Sequence, residues 1–372
     1  MLSPVTVGIL AWLCFLIKGV YSTRPLKKRL VLTKRDLRFI PAVILLFITS
    51  FFVAYNTFNA DYQVYEYIYG TYSSSIFNGR APLFEVICYL GNLFGLDYQT
   101  FLSIVLLFSL FSIFLFIAKY SEEPALIFLM YMLSAVIMDG IQFRQFMATA
   151  VLLYVLPNIL QDNTKKGLIK YVIGVTLSAG IHSSFIFWFI LLLIKVEWHK
   201  RIKYAIAITL LSIVGFVILE KTGLLINVLS YIASDDKVEL YFVADKYHSS
   251  TGMVLRYIIS QPVLLIAILF LIKKFRKYEP NDIPYINAVI GMDVLVLVLC
   301  PVFFYSLQFR RMLRVLFVPS FIAIEKLAPR KCGQMAYIAR IAMLVFSLIA
   351  LYWNLYSNPE LLRNLFSNNY FY

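Results

Sequence analysis

The sequence is short of charge. Asp, Glu, Lys and Arg make up 15% of it, against about a quarter in soluble domains. Acid is scarcer than base, with 20 Asp and Glu against 34 Lys and Arg, and there are 3 His. Cys14, Cys88, Cys300 and Cys332 lie far apart, and no pair has metal-ligand spacing. That argues against a zinc site or a disulfide framework. No GxSxG, HExxH or P-loop pattern occurs, which removes three common catalytic signatures. Internal repeats, low-complexity tracts and the short alternating segments of a transmembrane β-barrel are missing too.

Apolar residues are what the chain has in excess. They reach 61%, and the mean hydropathy is +0.79. Apolar runs recur near the ~20 residues that cross a bilayer as helix. The expected fold is therefore all-α, a polytopic transmembrane bundle forming one integral membrane domain over 1–372. The net charge of +14 does not point to nucleic acid. Most Lys and Arg fall in loops, the pattern that sets membrane topology.

The basic cluster Lys18, Arg24, Lys27, Lys28, Arg29, Lys34, Arg35 and Arg38 places its loop in the cytoplasm. The apolar run before it lacks a leading basic region. It reads as a retained first span, 2–17, with its N-terminus outside, and not as a signal peptide of the usual form. Further spans are expected at 39–58, 98–118, 124–138, 141–160, 168–180, 183–195, 202–220, 253–272, 283–304, 311–327 and 336–353. Segment 82–96 is apolar but short, and it is read as half-inserted. If it crossed, the Lys165/Lys166 loop would fall outside. The total is about twelve spans plus that helix. Segments 59–97 and 221–252 are external candidates for covering a substrate, and the tail 354–372 is external.

Polar residues in apolar surroundings carry the functional reading. Asp139, Gln142, Arg144 and Gln145 sit between two apolar runs, where charge is costly and faces a cavity or a partner. Asp139 and Arg144 are expected to pair across the turn. Gln142 and Gln145, three apart, share a face suited to sugar hydroxyls or to a helix contact. Arg80, Arg144, Arg256, Arg310, Arg311 and Arg314 lie on the side where topology predicts few cations. They are either snorkelling anchors or a converging set. In Phe309-Arg310-Arg311-Met312-Leu313-Arg314 the three guanidiniums fall within one ~100° helical arc. Their planar donor forks match the oxygens of a diphosphate.

Gly180-Ile181-His182-Ser183-Ser184 joins two short helices. It is either a helix break capped by Ser183 or Ser184, or a site where His182 acts as phosphate ligand or general base. Tyr62, Tyr65, Tyr69 and Tyr72 follow helical spacing. They form an interfacial belt or a sugar-stacking face. Asp61 is the preferred carboxylate base, with Glu85 and Asp139 behind it.

These pieces, in their order, resemble the EpsG-like, Wzy-type bacterial polysaccharide polymerases. The resemblance rests on Asp61-Tyr62 with Tyr65 and Tyr69, Pro82-Leu83-Phe84, Arg144-Gln145 followed by Ala148, Gly180-Ile181-His182-Ser183-Ser184, and Arg310-Arg311. An acidic residue often precedes Pro-Leu-Phe in such proteins, and here Ala81 takes that place. The resemblance implies a GT-C-like glycosyltransferase in the bacterial inner membrane, with both termini periplasmic. It would join repeat units carried on undecaprenyl pyrophosphate, without metal or cofactor, for O-antigen (lipopolysaccharide), capsule or exopolysaccharide. A chain-length regulator is the implied partner. In that scheme His182, Asp61, Arg144 and Arg311 do the chemistry. Arg310, Arg314, Gln145, Gln142, Asp139, Arg256, Arg80, Tyr62 and Tyr65 bind substrate. The rival readings are a flippase for the same lipid-linked oligosaccharide and an O-antigen ligase. A membrane O-acyltransferase would need a route for its donor, and no motif for one is found.

Overall fold

A computed structural model describes residues 34–54, 61–72, 81–161, 164–196, 202–222, 224, 256, 258–275, 282–299, 311–329 and 332–356. Among the described residues every regular element is a helix, as the apolar periodicity predicts. Helix lies within every expected span except the first, which falls outside the described residues together with nearly all of 221–252.

Helix α1 (Lys34–Ala54) shows how the sequence sorts itself. Ala42, Leu46, Thr49, Ser50 and Val53 are buried, while Ile40, Ile44, Ile48 and Phe52 are exposed. Both faces are apolar, as suits a helix between a protein core and lipid. The hydroxyls of Thr49 and Ser50 donate to the carbonyls of Leu45 and Leu46, so neither hydroxyl is left bare. Two short helices follow, α2 (Tyr62–Thr71) and α3 (Pro82–Leu93). At 1.5 Å per residue α3 reaches ~18 Å, too little to cross ~30 Å of hydrocarbon.

Among the described residues four helices are long and apolar enough to cross a membrane: α4 (Tyr98–Tyr120), α5 (Pro124–Ile141), α6 (Phe143–Leu160) and one near the C-terminus, whose crossing segment is Gln334–Leu355. Between α6 and that helix lie α7 (Lys165–Ile181), a 3-10 helix (Ser183–Val196), α8 (Ile202–Lys221), α9 (Leu264–Phe275), α10 (Ile283–Val296) and α11 (Arg314–Leu327). The last helix, α12, runs over Gln334–Tyr356. The 3-10 helix is short in residues, but its ~2.0 Å rise carries it to ~28 Å.

The densest packing joins α6 to α7 and to α4. It depends on Gly174, where an added Cβ would meet the Val155 methyls at 2.4 Å. Helix α11 is the axis of the other half, against α5, α9, α10 and α12. Of its residues, all but Lys326 are buried.

At one end of this bundle the ties are conventional. The Glu325 carboxylate accepts from Ser121 Oγ (2.6 Å) and from the backbone N–H groups of Glu122 and Glu123 (2.8 Å each). It thereby caps the start of α5. Arg340 pairs with Glu123, and Lys326 with Asp282 at 2.6 Å. The opposite ends of α5 and α11 carry the candidate site.

Candidate functional site

Two irregularities in α5 set the site. Residues Met132–Val136 form a π-turn, which adds one residue to the helix. The Ser134 carbonyl there accepts from Asn354 Nδ2 of α12 at 3.0 Å. Tyr131 precedes Asp139 by eight positions. Counted as seven because of the extra residue, that spacing brings both to within ~20° of one face. The Tyr131 hydroxyl donates to Asp139 Oδ2 at 2.7 Å. The second irregularity is Gln142 (φ −96°, ψ 56°), which ends α5 and leaves α6 to start at Phe143.

Asp139 and Arg144 do not pair, contrary to the sequence expectation. Five residues of helix already separate them by ~140°, and the break at Gln142 parts them further. Asp139 instead meets Arg314, with Nε and Oδ1 2.8 Å apart and side chains 1% and 7% exposed. Arg314 Nη2 also donates to Gln142 Oε1 at 2.7 Å. Tyr131, Asp139, Gln142 and Arg314 thus form one buried chain of polar contacts joining α5 to α11. Gln142 and Gln145 share no partner. Gln142 belongs to that chain, whereas the buried Gln145 amide has no hydrogen-bond partner among the described residues.

Arg144 takes a different direction. Its Nη2 donates to the carbonyl of Ile181 at 3.1 Å, at the C-terminal end of α7 where a cation suits the helix dipole. The guanidinium lies 4.4 Å from the Phe84 ring centroid and 5.9 Å from that of Tyr65. Phe143 completes the aromatic group, 4.7 Å from Tyr65 and 5.7 Å from Phe84. Helices α2 and α3 therefore lie over the junction of α6 and α7. They are locked together by Asn92 Nδ2 donating to the Tyr69 carbonyl (2.9 Å) and by Gly91, where a Cβ would meet the Tyr69 hydroxyl at 2.9 Å.

His182 follows Ile181 in an extended conformation. Its Nδ1 lies 2.8 Å from Ser184 Oγ, so that serine engages the ring. Tyr69 stacks on Phe101 at 4.5 Å, and Tyr62 meets Tyr98 edge-on at 4.9 Å. Tyr69 is buried, whereas Tyr62 is half-buried and keeps part of its surface free.

Electrostatics connects the groups. Asp61, just before α2, has its carboxyl pushed above the ordinary range by burial, with Arg311 pulling the other way. Burial also raises the Tyr65 phenol. The charge of Arg144 opposes that most, Asp61 adds to it, and Arg311 and a hydrogen bond from Arg144 oppose it further. Tyr62 is pushed up to about 12 by burial and by the carboxylates of Glu66 and Asp97. Two guanidiniums, Arg144 and Arg311, therefore act on one patch holding Asp61 and Tyr65.

Arg311 precedes α11 in a 3-10 turn. It shares with Arg314, Met138, Gln261, Phe317 and Asn354 a crevice with ~10 Å³ of room, about one water. Arg256 is exposed. Arg80 and Arg310 lie outside the described residues. Tyr131 and Phe143 escaped the sequence reading, and Phe84 and Ile181 entered it only as members of short motifs. Spacing could have revealed Tyr131 only with the π-turn known.

A sequence model described as the EpsG family matches residues 39–371. Among curated proteins and among solved structures nothing matches.

Proposed function

Because the chain belongs to the EpsG family, we propose that it is a membrane glycosyltransferase that polymerises oligosaccharide repeat units carried on undecaprenyl pyrophosphate. The acceptor hydroxyl of one lipid-linked unit attacks the anomeric carbon of the growing chain. The bond from that carbon to the pyrophosphate oxygen breaks, and undecaprenyl pyrophosphate leaves. The reaction faces the periplasm of a bacterial inner membrane, because the arginines gather on the side where topology predicts few cations. A GT-C-like architecture belongs to the same reading.

Arg144 and Arg311 stabilise charge developing on the leaving diphosphate. Aimed cations in a site of low dielectric contribute several kcal/mol to such a step. Asp61 takes the proton of the acceptor hydroxyl, for which a carboxyl raised toward neutrality is better suited than an ordinary one. Arg314 acts through its neighbours: its ion pair with Asp139 fixes the turn from which Arg144 projects. His182, beside the Ile181 carbonyl that holds Arg144, orients the same corner. The observation that carries the reading is that Arg144, over the Tyr65 ring at 5.9 Å, and Arg311 both act on Tyr65, while Arg311 also acts on the neighbouring Asp61.

The test is polymerisation by purified protein on lipid-linked repeat units, with R311A and H182A alongside. Long chains from wild type and slow, short products from R311A are expected. Unchanged long chains from both variants at equal protein level would remove the proposed site. In cells, loss of chain length with attachment intact separates a polymerase from a ligase. Repeat units stranded on the inner leaflet would indicate a flippase instead.

A further inference from the structure

Helix α3 carries a carboxylate to which the reaction above gives no task. Glu85 is fully buried, and neither of its oxygens has a hydrogen-bond partner among the described residues. A buried unpaired carboxylate is among the most costly groups a fold can keep. Its surroundings are not those of a structural acid. Phe84, its neighbour in the chain, lies under the Arg144 guanidinium. Glu85 and Arg144 both act electrostatically on Tyr72 and on Cys88, so the two charges share one neighbourhood without forming an ion pair.

Arg144 also has unmet capacity. Its Nη2 holds the Ile181 carbonyl, while its Nε has no acceptor. Glu85 and Arg144 thus present a pure acceptor and a pure donor in one neighbourhood. A diphosphate fits poorly, because Glu85 repels it. An ammonium group fits poorly, because Arg144 repels it. A hydroxyl gives and takes a hydrogen bond at once, so a neutral polyhydroxylated ring satisfies both.

We propose that Glu85 is a substrate-binding residue which accepts hydrogen bonds from hydroxyls of the acceptor sugar. Arg144 donates to the same ring as well as facing the diphosphate. The assignment rests on the polymerase reading and adds the chemical class of its acceptor, an uncharged sugar presenting free hydroxyls. The acceptor reaches Glu85 beneath α2 and α3, two short helices that cover the junction of α6 and α7.

The experiment compares wild type, E85Q and E85L, purified in a detergent without a sugar headgroup. The substrate is the pool of undecaprenyl-pyrophosphate-linked repeat units extracted from cells lacking this protein. Initial rates against acceptor concentration and the melting temperature are read on the same samples. E85Q should lose roughly 10- to 100-fold in kcat/KM for the acceptor, the usual effect of removing a hydrogen bond to a charged group. Its melting temperature should equal or exceed that of wild type, because an unpaired charge has gone. E85L should be at least as stable and less active still. A variant that loses stability and activity together makes Glu85 structural and overturns the proposal. So does unchanged kcat/KM in E85Q. If wild type itself does not extend the repeat unit, the polymerase reading fails, and the acceptor assignment with it. If wild type extends it and E85Q extends it equally well, only the assignment of Glu85 fails.

Discussion

Removing Arg314 should unfold the outer half of α5 from α11 at a cost that can be worked out. The pair with Asp139 spans 2.8 Å. At an effective dielectric of about 20, unit charges at that distance attract by ~6 kcal/mol. The hydrogen bond to Gln142 adds about 1.5–3 kcal/mol as one made by a charged group. Against this stands the desolvation of the guanidinium, which R314M no longer incurs. What remains after the change is Asp139, 1% exposed, with Tyr131 as its hydrogen-bond donor. Breaking a buried pair from one side in this way costs about 3–5 kcal/mol. D139N keeps the Tyr131 contact and leaves Arg314 on Gln142, so it should fall at the low end of that range. The double variant D139N/R314M leaves no buried charge and should recover most of the loss. Unfolding by titration with sodium dodecyl sulfate, followed by tryptophan fluorescence, measures all four proteins. A coupling energy below about 1 kcal/mol would refute the argument, since a water-screened pair would then have replaced the buried one.

Other consequences can be checked with the same preparations. Polymerisation should have an acid limb that follows ionisation of Asp61, with its midpoint above the ordinary carboxyl value; since Arg311 lowers that midpoint, R311A should move the residual limb to higher pH. A limb that stays in place or moves down would exclude Asp61 as the base. Asp97 caps α4 by accepting from Thr100 N (2.9 Å) and Thr100 Oγ1 (2.8 Å), and these bonds hold its pKa down. Its contribution is therefore present above about pH 4 and lost as pH falls through the lowered value; D97A should cost about 1 kcal/mol at pH 7 and less at pH 3 in a denaturant titration. G174A should destabilise by about 1–3 kcal/mol despite the better helix former, because Val155 Cβ as well as its methyls stand in the way. V155A placed beside it should recover part of that loss. Y131F removes the donor to Asp139 and should cost about 1–3 kcal/mol by the same titration.

Helices were legible because apolar run length is a property of the chain alone. Residues 98–118 and 336–353 were expected as spans and fall inside α4 and α12. Partners were less legible, because they depend on where helices bend. Asp139 and Arg144 look like a pair on paper, yet Gln142 interrupts the helix and sends them to α11 and α7. The mate of Asp139 proved to be Arg314, far along the chain, which the sequence reading had aimed at a ligand. Nothing in residue type announces a π-turn, so Tyr131 went unnoticed. Glu85 was visible as an acid on a short apolar helix. Its complete burial without a partner follows from how α3 docks on α7, which is a tertiary fact.

Helices α5 and α11 are fastened to each other twice. Glu325 holds the first turn of α5 through Ser121, Glu122 and Glu123, and Arg314 holds its last turn through Asp139. Two such rivets make a strut that resists both sliding and splaying. A lipid entering sideways cannot part these two helices without breaking buried charge contacts at one rivet or the other. On the polymerase reading, a lipid-linked substrate must therefore enter between helices other than these two.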